Sequence, residues 1–108
     1  MNSTKQLFEW RPAPEMMARS NLTAFLHKVG ESSFENLSAR ADADPAWLMQ
    51  EVFEFCDMRF YQPYTQMLDT SRGIEWARWC VGGTTNIVLN CLDRHRGTPV
   101  WDQPFLVW

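Results

Sequence analysis

A pair of glycines, Gly82-Gly83, cuts the last third of this chain into two segments that cannot share one element. Before it stands a short aromatic stretch, Ile74 to Val81, with Trp76, Ala77, Trp79 and Cys80. After it come Thr84, Thr85 and Asn86, then Ile87, Val88, Cys91, Leu92 and His95 at helical spacing. Glycine relieves the steric penalty of a left-handed residue at a helix end, so the pair reads as a stop. Thr84 or Thr85 then caps the next helix, its hydroxyl accepting an open backbone N–H. The pattern predicts one short helix over 74–81 and another that ends in Asp93-Arg94-His95. Gly82-Gly83-Thr84-Thr85 could also offer N–H groups to an anion, but no lysine follows as a P-loop requires and no strand precedes it.

Upstream the pattern is helical almost throughout. Residues 1–12 are polar with Leu7, Phe8 and Trp10 scattered among them, which reads as an irregular arm whose aromatics dock on the body. A helix is predicted from Pro14, with Glu15 near its positive end; Ala18, Leu22, Phe25, Leu26 and Val29 form one stripe and Gly30 stops it. Ser32 or Ser33 caps a second helix through Arg40, and Ala41 to Asp44 reads as a polar link. Asp44 caps and Pro45 opens a third, running to about Met58, with Leu48, Val52, Phe55 and Cys56 inward. Residues 59–72, broken by Pro63, read as an extended aromatic connector, and Asp69 to Gly73 as a turn. Past Gly97-Thr98-Pro99, the run Phe105-Leu106-Val107-Trp108 is rich in strand formers. A strand needs a partner for its backbone, and none is evident upstream. The chain is therefore expected to be a fragment, ending in an element whose sheet lies elsewhere.

The chain has 108 residues, enough for one domain, and a chain of that size buries about 65% of its unfolded surface. Net charge is −3 with no block of like charges, which removes the case for nucleic acid; Arg94-His95-Arg96 reads as a solvated helix end. Cys56, Cys80 and Cys91 make an odd count without close pairs, so a disulfide framework is not expected and a reducing, cytoplasmic location is. No apolar run fits a signal peptide or a membrane span, so no membrane partner is expected. Six tryptophans suggest gap-filling between short elements or a surface meant for a partner.

No constellation for chemistry stands out. Cys91 and His95 share a helix face, and Cys80 could join them, but structural zinc wants four ligands in close pairs. Asp93 and His95 sit on different sides of their helix, so an acid–base pair is the weaker reading. Cys56, on an apolar stripe beside Phe53 and Phe55, reads as a buried and inert thiol. Arg78, Asn86, Asn90, Asp93 and Arg94 are expected to be structural hydrogen bonders around the diglycine.

The run from Arg78 to His95, with its diglycine and its closing Asn90-Cys91-Leu92-Asp93-Arg94-His95, resembles the signature near the N-terminus of AMP-forming acyl-CoA synthetases of the acetyl-CoA synthetase type. Asp44-Pro45-Ala46-Trp47 is similar to a helix start of that family, and Trp10 to Glu15 with Ala18 to Thr23 to its lead-in. Phe105 to Trp108 is similar to the first strand of its large domain. Cys80 stands where the pattern has Phe, Thr85 where it has Leu, and Trp47-Leu48 where it has Phe-Trp. The resemblance implies a parent enzyme that uses ATP, Mg and CoA to activate a carboxylate. Its adenylate loop, ribose-binding acid and catalytic lysine would lie beyond residue 108. No catalytic, cofactor-binding or metal-binding residue of this chain is implied.

The expected fold is mainly α: a small domain of about five helices with a short C-terminal β segment. Within 1–108, residues 1–12 are the arm, 13–96 the helical body and 99–108 an extended β segment leading to a missing catalytic core. The expected role is non-catalytic, bracing the chain's own adenylating domain, with self-association through residues 104–108 when that domain is absent. The alternative is a stand-alone helical interaction module gripping a partner through tryptophans such as Trp76 and Trp101.

Overall fold

The computed structural model describes residues 10–108. Among them are five α-helices and one two-stranded antiparallel sheet, so the fold is mainly α. They divide into two compact units, one ending at Arg40 and one running from Ala41 to Trp108. No helix among the described residues is long and apolar enough to cross a membrane. Leu7 and Phe8 of the expected arm lie outside the described residues, and Trp10 is exposed.

In the first unit, α1 (Pro14–Ala18) and α2 (Asn21–Val29) replace the single helix expected there. The break has a local cause. Ser20 Oγ accepts the Thr23 N–H at 3.1 Å, and Thr23 Oγ1 donates to the Met17 carbonyl at 2.7 Å. Hydroxyls of this kind offer the backbone a competing set of bonds, and here they end one helix and cap the next. Gly30, at φ +74°, closes α2 with the Glu31 N–H reaching back to the Leu26 carbonyl at 3.0 Å. Ser33 Oγ accepts the Asn36 N–H and starts α3 (Phe34–Ala43). The expected link at 41–43 is helical instead, as its two alanines favour. Phe25 and Leu37 are the buried apolar residues of this unit.

In the second unit, Asp44 Oδ1 accepts the Trp47 N–H at 3.0 Å and Pro45 opens α4 (Pro45–Phe55), as the sequence predicts. Two strands follow, β1 (Gln66–Asp69) and β2 (Arg78–Val81), pairing Gln66 with Val81, Leu68 with Trp79 and Asp69 with Arg78. The helix expected over 74–81 is thus only one 3-10 turn, Ile74–Trp76, followed by a strand. Trp79 and Val81 are better strand than helix formers, and the connector upstream supplies a partner that helical periodicity did not reveal. Last comes α5 (Ile87–Cys91), one turn and a half long, then 3-10 turns at Asp93–His95 and Pro99–Asp102.

The expected inward face of the last helix is largely outward: Ile87 is 76% exposed, and Val88 and Cys91 are exposed too. The extended β segment expected over 99–108 is a 3-10 turn and an unpaired apolar tail. Its strand formers have no partner strand among the described residues. The core of the unit is aromatic. Phe60 packs against Phe53 of α4 at 5.9 Å between ring centres and edge-on to Tyr64 at 5.4 Å, with Met67 buried on β1.

Candidate functional site

The residues of the closing motif converge on the end of α4. Asp57 stands in the left-handed region at φ +50°, so the chain turns back on the helix. The Met58 N–H donates to the Phe53 carbonyl at 2.9 Å and the Asp57 N–H to the Glu54 carbonyl at 3.1 Å, the paired bonds of a Schellman stop. The next two carbonyls, of Cys56 and Asp57, accept Arg94 Nη1 at 2.9 and 3.0 Å. A guanidinium fits there twice over, as a donor to open carbonyls and as a cation at the negative helix end.

Two residues beyond Asp57, at Arg59, Asn90 grips both backbone groups. Its Oδ1 accepts the Arg59 N–H at 2.7 Å and its Nδ2 donates to the Arg59 carbonyl at 3.1 Å. Thr85 Oγ1 donates to the same carbonyl at 2.6 Å. Asn86 caps α5 by accepting the Val88 N–H at 2.7 Å. Arg78 pairs with Asp69 across the hairpin, and Arg96 with Asp93 at 3.3 Å. The Arg78 hydrogen bond, helped by the Ser71 backbone N–H, holds the Asp69 carboxyl well below the usual carboxylate range. Asn86, Asn90 and Arg94, expected to be structural bonders around the diglycine, do bond, but Asn90 and Arg94 anchor Arg59 and the α4 stop while Asn86 caps its own helix. Sequence reasoning missed Asp57 and Arg59. The signal was faint: polar residues directly after a helix, where backbone groups stand open.

At the diglycine turn the N–H groups of Gly83 and Thr84 are already used. The Gly83 N–H donates to Cys80 O at 2.9 Å and the Thr84 N–H to Gln62 O at 3.0 Å, so the turn is closed on itself rather than open to an anion. Cys80, at φ +51°, sets its thiol 3.9 Å from Met67 Sδ, and burial pushes that thiol up from its ordinary pKa. Cys56, expected to be buried, is exposed, because α4 ends at Phe55 and leaves it on the helix cap.

Cys91 and His95 line the same cleft, of about 320 Å³, together with Leu92, Trp101 and Phe105. Among the described residues no three His, Cys, Asp or Glu side chains gather as a metal site would need. Arg96 lies over the Trp101 ring at 5.3 Å and fixes one wall. The first unit has its own larger cleft, about 750 Å³, lined by Trp10, Met16, Met17, Leu22, Leu26 and Phe34.

The apolar surface left uncovered is large. On the second unit Ile74, Trp76, Trp79 and Trp101 are exposed, and in the tail Phe105, Leu106, Val107 and Trp108 are exposed as well. Among the described residues only Phe25, Leu37 and Met67 are buried, and none is completely enclosed. Single exposed apolar side chains are ordinary; runs of large ones mark an interaction surface.

Residues 34–91 match the family model described as acetyl-coenzyme A synthetase N-terminus. The acetyl-coenzyme A synthetase of Psychrobacter cryohalolentis is 32% identical over 99 residues, which cover 89% of this chain and 14% of that protein. The acetyl-coenzyme A synthetase of Chlorobaculum tepidum is 29% identical over 97 residues, 90% of this chain and 13% of that protein. The propionate–CoA ligase of Salmonella typhimurium is 42% identical over 64 residues, 59% of this chain and 10% of the relative. The chain thus spans a small fraction of the relatives it matches. No solved structure matches it.

Proposed function

The chain belongs to the acetyl-coenzyme A synthetase N-terminus family, and from that premise we propose that it serves as the non-catalytic N-terminal part of an AMP-forming acyl-CoA synthetase, bracing an adenylating core. The assembled enzyme would join ATP, a short carboxylic acid such as acetate or propionate, and CoA in the cytoplasm, with Mg bound alongside the nucleotide. The chemistry would reside in the core. This chain's residues are assigned none of it: Asn90 and Arg94 of the closing motif hold backbone.

The observation that carries the reading is the uncovered aromatic surface of the second unit. Trp76, Trp79 and Trp101 stand outward where an isolated domain would enclose them. Each ring is already partly covered, so covering the rest removes roughly 70–160 Å² of surface from water per ring, and together the three make an anchor.

The test has two arms. The purified chain is mixed with ATP, Mg, acetate or propionate, and CoA, and AMP is measured. No acid-dependent AMP is expected. Separately, the chain is titrated against the adenylating core of the Psychrobacter cryohalolentis relative from which the matching segment has been removed. Binding is expected, weakened by Trp76→Ala or Trp101→Ala. Acid-dependent AMP from the chain alone, or no binding to the core, overturns the proposal.

A further inference from the structure

Arg59 is held at its backbone and at its head. Asn90 and Thr85 take its N–H and its carbonyl. At the other end its Nε and Nη2 donate to one oxygen, Asp57 Oδ2, at 3.3 and 3.0 Å. The pair lies in the open, with the Arg59 side chain 49% exposed and that of Asp57 62%. An ion pair so exposed contributes little to stability, since water screens it and two side chains must be ordered to make it. It also has a conformational cost. Asp57 stands at φ +50°, just past a helix end, where glycine would avoid the Cβ penalty. The Schellman bonds there are made by backbone, so glycine would close the same stop. Glycine could not hold the guanidinium.

That guanidinium has one edge in use and one open. Nε and Nη2 form the edge that faces Asp57. Nη1 has no hydrogen-bond partner among the described residues, so the edge made by Nη1 and Nη2 can still take a planar acceptor. Its two donors match the two oxygens of a carboxylate. The surroundings agree. The Arg59 backbone lies against the first turn of α5, where Ile87 is 76% exposed and Val88 46%, and Tyr61, two residues on, is 65% exposed. Arginine and tyrosine beside apolar side chains are the composition of an interface, not of a solvated face.

We propose that Arg59 recognises a carboxylate, the side chain of an Asp or Glu on the adenylating core, and that Asp57 positions Arg59 for it. The inference rests on the bracing role and names the chemistry of one of its contacts. The partner carboxylate takes Nη1 and Nη2 end-on while Asp57 keeps the Nε side. Each carboxylate then lies nearer to the cation than to the other carboxylate. Ordering the guanidinium before the encounter removes part of the entropy cost of binding. Docking excludes water from the group, and its charge-assisted bonds gain strength that they lack in the free chain.

The titration against the adenylating core tests it, with cooperative thermal unfolding of the core as the control that it is folded. Arg59→Gln should weaken binding roughly tenfold or more. Arg59→Lys keeps the charge but loses the fork, and should recover only part of that loss. Added salt should weaken the native complex more than the Arg59→Gln complex. Asp57→Gly separates positioning from folding. It relieves a left-handed residue, so the urea midpoint should hold or rise, while binding should weaken roughly threefold to tenfold. Asp57→Asn keeps an acceptor in place and should bind more tightly than Asp57→Gly. Binding by the native chain that Arg59→Gln leaves within roughly twofold overturns this inference and leaves the bracing role standing. No binding by the native chain overturns both. Weaker binding of Asp57→Gly with an equal loss of stability makes Asp57 a structural residue and overturns its positioning role.

Discussion

Gly82 and Gly83 are adjacent but glycine for different reasons, and alanine at each position separates them. At Gly82 φ is +78°, and an added Cβ meets nothing nearer than Thr65 Oγ1 at 3.6 Å. The obstacle there is conformational, about 1–2 kcal/mol for an L-residue held left-handed. It is offset by about 0.4–1 kcal/mol because alanine narrows the unfolded ensemble. At Gly83 the Cβ would fall 3.0 Å from Tyr64 Cβ, 3.1 Å from Cys80 O and 3.3 Å from a Phe60 ring carbon. A carbonyl and a Cβ cannot swing aside, and the Phe60 ring is held between Phe53 and Tyr64. Overpacking of this kind costs about 1–3 kcal/mol. Gly83→Ala should therefore lose about 1–2 kcal/mol net and Gly82→Ala about 0.5–1 kcal/mol, while Gly82→Asn, which tolerates positive φ, should lose less than either. Urea unfolding followed by circular dichroism reads the three differences as shifts of midpoint at unchanged slope. If Gly83→Ala matches the native protein, or Gly82→Asn is the most damaging, the turn does not close on Phe60 and Tyr64 as described.

Arg94→Ala should cost about 1–2 kcal/mol, since the Cys56 and Asp57 carbonyls lose a charged donor and are only partly repaid by water; the same urea titration checks it, and Arg94→Lys should recover only part of the loss. Because the Asp69 carboxyl is held low by Arg78, its contribution is complete above the unfolded carboxylate pKa of about 4 and fades as pH falls below that value. Urea midpoints should thus drop on acidification, and Asp69→Asn should flatten part of that drop. Cys56 and Cys91, both exposed, should react with a maleimide well before Cys80, whose thiol burial raises; mass spectrometry of timed samples gives the order, and Cys80 reacting first would contradict the hairpin geometry.

Much of this was readable from single residues. Asp44-Pro45 and Ser33 state a helix start in their own chemistry, and Gly30 states a stop, so those boundaries appear where the sequence places them. The hairpin was not readable, because Ile74 to Val81 is short and apolar and fits helix or strand until its partner at 66–69 is known. Ser20 and Thr23 lie inside the apolar rhythm that reads as one helix from Pro14, and only their hydroxyl bonds show that they divide it. The candidate site was half legible. Asn90 and Arg94 could be singled out as hydrogen bonders from residue type, but their anchor could not, since Asp57 and Arg59 gain meaning only from the fold. The burial of the last helix was overestimated because periodicity reports which face is apolar and not whether anything covers it.

The stop of α4 has a kinetic corollary. Arg94 lies 38 positions after the Cys56 carbonyl that it holds. Asp44 and Pro45 can nucleate the helix from local information within microseconds, yet its far end stays frayed until a loop of that span has closed. The entry of the helix is thus an early event and its exit a late one. Amide exchange should be quickest around Phe55 to Met58 in any variant that lacks the guanidinium, while the first turn keeps its protection.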